Sequence, residues 1–130
     1  MIDEMGIFRT TIELSPCPDH DKRWLLRDVI VDTGSEYTWV PRLLLEQLGV
    51  TAARGERFKT ADGRVLEREI GFAMVFASGR AAPTIVVFAE EGDMTLLGAI
   101  ALEGLNLRID IVSKELVPAG PVLVASARAA

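Results

Sequence analysis

The sequence predicts a mostly β single domain with one or two short helices, and three observations carry that expectation. The β-branched run Val29-Ile30-Val31 reads as a buried strand. Ala61-Asp62-Gly63-Arg64 places an Asp-Gly pair between two strand-like stretches, which is favoured chemistry for a tight hairpin turn. A chain of 130 residues with 49% hydrophobic content can bury one real core but is too short for two lobes.

Residues 7–14 read as a first strand, and Ser15-Pro16-Cys17-Pro18-Asp19-His20-Asp21 has the Pro and Asp density of a loop. Residues 23–31 return as a second strand that delivers Asp32 to its end. Tyr37-Thr38-Trp39-Val40 alternates like a third strand. Residues 41–49 then read as a short helix, with Pro41 suited to its first turn and Gly49 to its end. Leu43, Leu44, Leu45 and Leu48 are expected to pack that helix on the core, and Trp24 and Trp39 are expected to be core residues of alternating strands.

Residues 58–61 and 64–70 form the arms of the expected hairpin. Leu66, Ile70, Phe72, Met74 and Phe76 share one parity of its outgoing strand, while Glu67 and Glu69 share the other, which predicts one apolar and one wetter face. Gly71 interrupts that strand where a bulge or bend is expected. Thr95-Leu96-Leu97-Gly98 is an apolar pair closed by Gly, followed by a short helix over 99–105 and a strand over 107–112. No repeat, low-complexity tract or linker precedes Pro118. Ala119-Gly120-Pro121 breaks regular structure and the remainder is small and weakly patterned, so the domain is expected over 1–118, with a mobile or partner-dependent tail over 119–130.

The most informative stretch is Val31-Asp32-Thr33-Gly34-Ser35. A rigid strand aims Asp32, Thr33 offers a hydroxyl for anchoring, Gly34 admits close backbone approach, and the Ser35 hydroxyl can donate to an Asp32 oxygen. The same four residue types also make ordinary turns, so the motif alone is ambiguous. Its order relative to the following strand, the hairpin, Leu96-Leu97-Gly98, the helix and the closing strand resembles the single-domain, retropepsin-like aspartic proteases over residues 8–118.

That resemblance implies a closed, acid-protease-like β-barrel whose hairpin is a flap over the active site. It implies that Asp32 is catalytic and that Thr33 grips the partner subunit's turn, with Gly34 and Ser35 supporting the active-site turn. Leu96, Leu97 and Gly98 would pass behind that turn as scaffold, and Asp62 and Gly63 at the flap tip would contact substrate through their backbone. Retroviral members often continue the scaffold segment with Arg and then Asp or Asn, whereas Ala99 and Ile100 stand here, so the ion pair those residues support is missing at that place.

Only one Asp-Thr-Gly turn is present, which shapes the chemistry. Metal-free peptide hydrolysis needs a base to deprotonate water and an acid to protonate the carbonyl oxygen. Two carboxylates sharing one proton supply both, because repulsion pushes their ionisations apart. The implied function is therefore an aspartic endopeptidase acting on extended peptides as a homodimer, with Asp32 and its symmetry mate as the pair and no cofactor. Two other readings are a dimeric peptide-binding or scaffold domain of the same fold that cleaves weakly or not at all, and a single lobe that pairs with a different protein.

A net charge of −5 and dispersed Arg residues argue against a nucleic-acid partner. No run approaches bilayer-spanning length, so no membrane partner is expected. The residues at the start lack the basic region and apolar core of a secretory signal, which favours a cytoplasmic location. Cys17 is the only cysteine, so no internal disulfide can form. Cys17, Asp19, His20 and Asp21 cluster, but without a second group of ligands they read as a loop instead of a metal site. His20, the only histidine, would have to serve any Ser-His-Asp or Cys-His system. Asp110 lacks a following Thr-Gly or Ser-Gly and reads as solvent-facing alternation with Arg108.

Overall fold

The computed structural model describes residues 6–17 and 21–126. Its elements are β1 (Arg9–Pro16), β2 (Trp24–Val31), β3 (Thr38–Pro41), α1 (Arg42–Leu48), β4 (Arg54–Lys59), β5 (Val65–Ala77), β6 (Arg80–Ala89), β7 (Leu96–Leu97), α2 (Ala99–Leu105), β8 (Leu107–Asp110) and β9 (Glu115–Pro118). The fold is mostly β. Seven strands form one sheet in the order β1-β2-β7-β3-β6-β5-β4, and an additional β1–β5 pairing returns the sheet on itself with β4 outside the ring. Strands β8 and β9 form a separate antiparallel pair. Among the described residues no helix is long and apolar enough to cross a membrane.

Alternate residues of the ring strands point inward, and Ile12, Leu14, Val29, Val31, Val40, Val75, Val86, Phe88 and Leu97 form the core. Helix α1 adds Leu44, Leu45 and Leu48 at the spacing of one helical face, and α2 adds Ala101, Leu102 and Leu105. Leu43 points the other way and is 69% exposed, so it does not share the packing role expected of the four leucines. At the C-terminus of α2 the Asn106 amide donates to the Leu102 and Glu103 carbonyls, and Arg80 Nη1 donates to Leu105 O at 3.1 Å and to Asn106 O at 3.2 Å.

The long strand β5 departs from the expected single apolar parity. Up to Ile70 the wetter and drier positions alternate as read from the sequence, but beyond Gly71 the buried residues are Ala73, Val75 and Ala77, while Phe72 is exposed and Met74 and Phe76 are half-buried. The side of β5 that carries Ala73, Val75 and Ala77 faces the enclosed core there, and the side that carries Phe72, Met74 and Phe76 faces outward, on the same side as Ile70. Phe76 is partly covered by the Arg23 guanidinium, 3.9 Å from its ring centroid.

Gly71 is not a bulge, because the β5–β6 pairing runs unbroken from Ile70↔Val87 to Ala77↔Arg80. It is a close approach. A Cβ at 71 would lie 2.7 Å from the Thr51 carbonyl oxygen and 3.2 Å from the Phe88 ring, so only glycine lets the chain entering β4 cross here.

Three further differences concern ends and exposure. Strand β1 runs two residues further than expected, through Ser15 and Pro16, because both continue the β1–β5 ladder. Trp24 is 45% exposed, and the expected 107–112 strand stops at Asp110, with Ile111 and Val112 in an exposed turn leading to β9. The tail begins tied down: Ala119 N donates to Asn106 O at 2.9 Å and Asn106 Nδ2 donates to Gly120 O at 2.8 Å, after which residues 121–126 hold no helix or strand.

Candidate active site

Asp32 is positioned by a parallel ladder. β7 pairs with β2 through Ile30↔Leu96 and Val31↔Leu97, and the Asp32 amide extends that ladder by donating to Leu97 O at 3.0 Å. Val31 N donates to Phe8 O at 2.9 Å on the other side. The chain then turns tightly, with Ser35 N donating to Asp32 O at 3.2 Å.

The carboxylate is held by its own turn. Gly34 N donates to Oδ1 at 2.9 Å and Ser35 Oγ donates to Oδ2 at 3.1 Å, so each oxygen has one donor and the carboxylate plane is oriented. Asp32 is half-buried, whereas Thr33 and Gly34 are exposed at the crest of the turn.

The start of α2 braces the turn from behind. Its first amides lack partners within the helix, and two of them are spent on the turn: Ala99 N donates to Ser35 O at 2.7 Å and Ile100 N to Glu36 O at 3.0 Å. Gly98 N donates to the buried Thr38 Oγ1 at 3.1 Å. The backbones touch so closely that a Cβ on Gly98 would stand 2.3 Å from Tyr37 O. Leu96, Leu97 and Gly98 therefore lie behind the Asp32 turn, where the resemblance implies scaffold.

Asp32 opens into a cleft of ≈ 1010 Å³, lined by the turn, by Tyr37 and Trp39, by the β4–β5 hairpin, and by Gly92, Asp93, Met94 and Leu96. Phe58 of β4 reaches across it, its ring centroid 5.1 Å from that of Trp39 and 5.8 Å from that of Tyr37, both edge-on. Trp39 is accordingly a wall of the cleft, half-buried, and not an interior core residue. The wall behind it is apolar because the register Leu96↔Trp39↔Val87↔Ile70 sets four apolar side chains on one face across four strands.

The hairpin turn is closed by Thr60 N donating to Arg64 O at 2.8 Å and Gly63 N to Thr60 O at 3.0 Å. The Thr60 hydroxyl and then the Arg64 amide donate to the Asp62 carboxylate and hold its pKa below the ordinary value. Thr60, Ala61 and Arg64 face the cleft, whereas Asp62 and Gly63 sit at the turn without lining it.

A scan against protein-family models returns no match, and no curated protein matches the chain.

Asp110 and Cys17 do not line this cleft. The Asp110 carboxylate accepts Ser113 Oγ at 2.8 Å and Val112 N at 3.3 Å, structuring the β8–β9 turn, and the Ser113 hydrogen bond lowers its pKa. Cys17 is exposed, and burial of its thiol nonetheless raises its pKa. Asp19 and His20 fall outside the described residues, among which no group of three His, Cys, Asp or Glu could hold a metal ion.

Two cleft features have no local sequence signature. Phe58 meets Tyr37 and Trp39 only because β4 folds back over the Asp32 turn. Arg68 of β5 makes a two-pronged ion pair with Asp93, Nε to Oδ2 at 2.7 Å and Nη2 to Oδ1 at 2.9 Å, with side chains 17% and 11% exposed. The turn composition of Glu90-Glu91-Gly92-Asp93 is legible in sequence; its partner 25 residues earlier is not.

Proposed function

We propose that this protein is an aspartic endopeptidase that works as a homodimer. The observation that carries the reading is Asp32 itself: an oriented carboxylate on a braced turn, at the floor of a cleft large enough for a peptide and roofed by a β-hairpin. The ring of strands serves as the closed barrel of such an enzyme, and the β4–β5 hairpin serves as its flap.

One carboxylate can accept a proton from water, but the scissile carbonyl also needs a proton donor. The partner subunit's Asp32 supplies it. Bringing two turns together across a two-fold axis makes the pair share one proton, since like charges at contact distance resist double ionisation. The ionised Asp32 takes a proton from water, the resulting nucleophile attacks the carbonyl carbon, and the protonated carboxylate donates to the carbonyl oxygen. A neutral tetrahedral diol forms and collapses to acid and amine.

Exposed Thr33, at the crest of the turn, is suited to meet the partner's turn. A substrate would lie extended between turn and hairpin, bound through main-chain hydrogen bonds, with alternate side chains against Trp39, Phe58, Leu66 and Met94. Closure of the hairpin excludes bulk water.

The deciding experiment is cleavage of a diverse peptide mixture by the parent and Asp32→Asn proteins, from acidic to neutral pH and over a range of protein concentration. Cleavage strongest in acid, steeper than linear in protein and absent in the folded variant supports the reading. Parent-level activity in Asp32→Asn removes it, and a folded parent dimer that binds peptides without cutting them turns the assignment to a binding domain.

A further inference from the structure

From the geometry where β5 leaves the sheet, we infer that Arg68 and Asp93 are positioning residues that clasp the stem of the hairpin and confine its motion to the tip. The inference rests on the hairpin acting as a flap over Asp32, and it assigns the pair no contact with reacting atoms.

Strand β5 pairs with β6 only as far as Ile70↔Val87. If that ladder continued, residues 68 and 67 would face 89 and 90. Instead, the chain leaves β6 after Ala89 and turns away at 90–93. Below Ile70, β5 is bonded only to β4, itself the outer strand of the sheet. A two-stranded ribbon without further support is marginal in water, so something other than the sheet must set its angle.

Two ion-pair links replace the missing ladder. Arg68 grips Asp93 directly, as described above. Glu69, the next residue and hence on the opposite face of the strand, accepts Arg42 Nη2 at 2.8 Å, and the same guanidinium donates from Nε to Glu90 at 2.9 Å. Both faces of the strand are thereby tied to one four-residue turn.

That turn is itself stiff. Glu90 N donates to Asp93 Oδ2 at 2.8 Å and Asp93 N donates to Glu90 O at 3.0 Å. Three residues on, Leu96 and Leu97 hold the Asp32 strand, so the clasp ties the stem of the hairpin to the segment that carries the catalytic turn.

The two links are unequal. Arg68 and Asp93 are mostly buried and meet fork to fork, the geometry in which an ion pair contributes most. Glu69 and Glu90 are about half exposed, where solvent screens the attraction. Arg68–Asp93 is therefore the dominant ionic clasp; Phe58 still rests against Tyr37 and Trp39, and the lever is the part beyond it, from Lys59 through the turn to Val65. When the clasp is lost, a smaller fraction of molecules holds the hairpin at the right height, and apparent affinity for substrate falls by that fraction.

The test compares the parent with Arg68→Met, Asp93→Asn and the double variant, using backbone hydrogen exchange and peptide cleavage. Asp93→Asn keeps one acceptor for the Glu90 amide and removes the charge together with one of the two oxygens that accept from Arg68. In each single variant the amides of 56–67 are expected to exchange about tenfold faster, as loss of a charge-assisted hydrogen-bonded pair implies, while 29–36 keep parent protection. The double variant should exchange no faster than the singles. KM should rise about tenfold with kcat within about twofold of parent, because the hairpin's population and not the chemistry has changed.

Parent-like exchange over 56–67 in a folded Arg68→Met protein overturns the proposal, as do effects that add in the double variant or a fall in kcat at unchanged KM. Should Arg68→Met fail to fold, Arg68→Lys decides: it keeps the charge without the fork and is expected to give intermediate exchange, whereas parent-like exchange overturns the proposal. If the parent cleaves nothing, the peptidase reading fails while the exchange measurement still judges the clasp.

Discussion

The backbone of Gly98 lies against that of Tyr37 so closely that a single added carbon would stand 2.3 Å from the Tyr37 carbonyl oxygen and 2.8 Å from that of Glu36. Those carbonyls belong to the segment leaving the Asp32 turn, and neither can move without disturbing the α2 amides bonded to Ser35 and Glu36. Gly98→Ala is therefore expected to destabilise the fold by about 3 kcal/mol or more, at the upper end of single-substitution effects. Chemical denaturation measures it, and a loss below about 1 kcal/mol would show that the turn has slack.

Ser35 donates to Oδ2 of Asp32, leaving Gly34 N on Oδ1. Ser35→Ala should change global stability by no more than about 1 kcal/mol, the ordinary net contribution of one hydrogen bond. It should lower cleavage about three- to tenfold by freeing the carboxylate to rotate. Unchanged kcat/KM in the variant would mean that Gly34 alone orients Asp32.

Thr84 is 5% exposed and its Oγ1 is buried with no hydrogen-bond partner among the described residues. The hydroxyl thus loses its hydration without compensation. Thr84→Val keeps the shape, removes the orphan group and is expected to stabilise by about 1 kcal/mol, read as a higher denaturation midpoint at unchanged slope.

Arg68 donates to Asp93 and holds its carboxyl below the ordinary carboxylate range; burial opposes the shift, and the Glu90 amide reinforces it. A carboxylate whose pKa is lower folded than unfolded contributes stability that is complete above its unfolded value, about 4, and is lost as pH falls through the folded value. The stability difference between parent and Asp93→Asn should therefore be constant from pH 7 to about pH 5 and shrink below about pH 4. Denaturant titrations at several pH values test this, and a difference that grows on acidification refutes the ion-pair account.

The chain by itself determined most of the elements and the position of the candidate site. Helix α2 falls at Ala99–Leu105, as its pattern predicts, and α1 lies inside the expected 41–49 segment, because Pro41, Gly49 and the leucine spacing act through local backbone preferences. Asp32-Thr33-Gly34-Ser35 closes its hydrogen bonds within four residues, so nothing distant is needed to recognise the turn. The Asp62-Gly63 hairpin is local in the same sense.

Only the tertiary structure decided which face of β5 is buried beyond Gly71, since that depends on which side the ring of strands encloses and not on the alternation of Phe72, Met74 and Phe76. It also decided that Trp24 stays exposed and that Trp39 becomes a cleft wall, outcomes set by what packs above each strand. Strand β9 has no sequence signal of its own, because four residues with one buried leucine carry too little periodicity. The Arg68–Asp93 pair was the least legible feature of all. Hydrophobic periodicity records which side of an element meets the core, whereas an ion pair between residues far apart in sequence depends on where two separate segments end, a relationship that exists only once the ring of strands has formed.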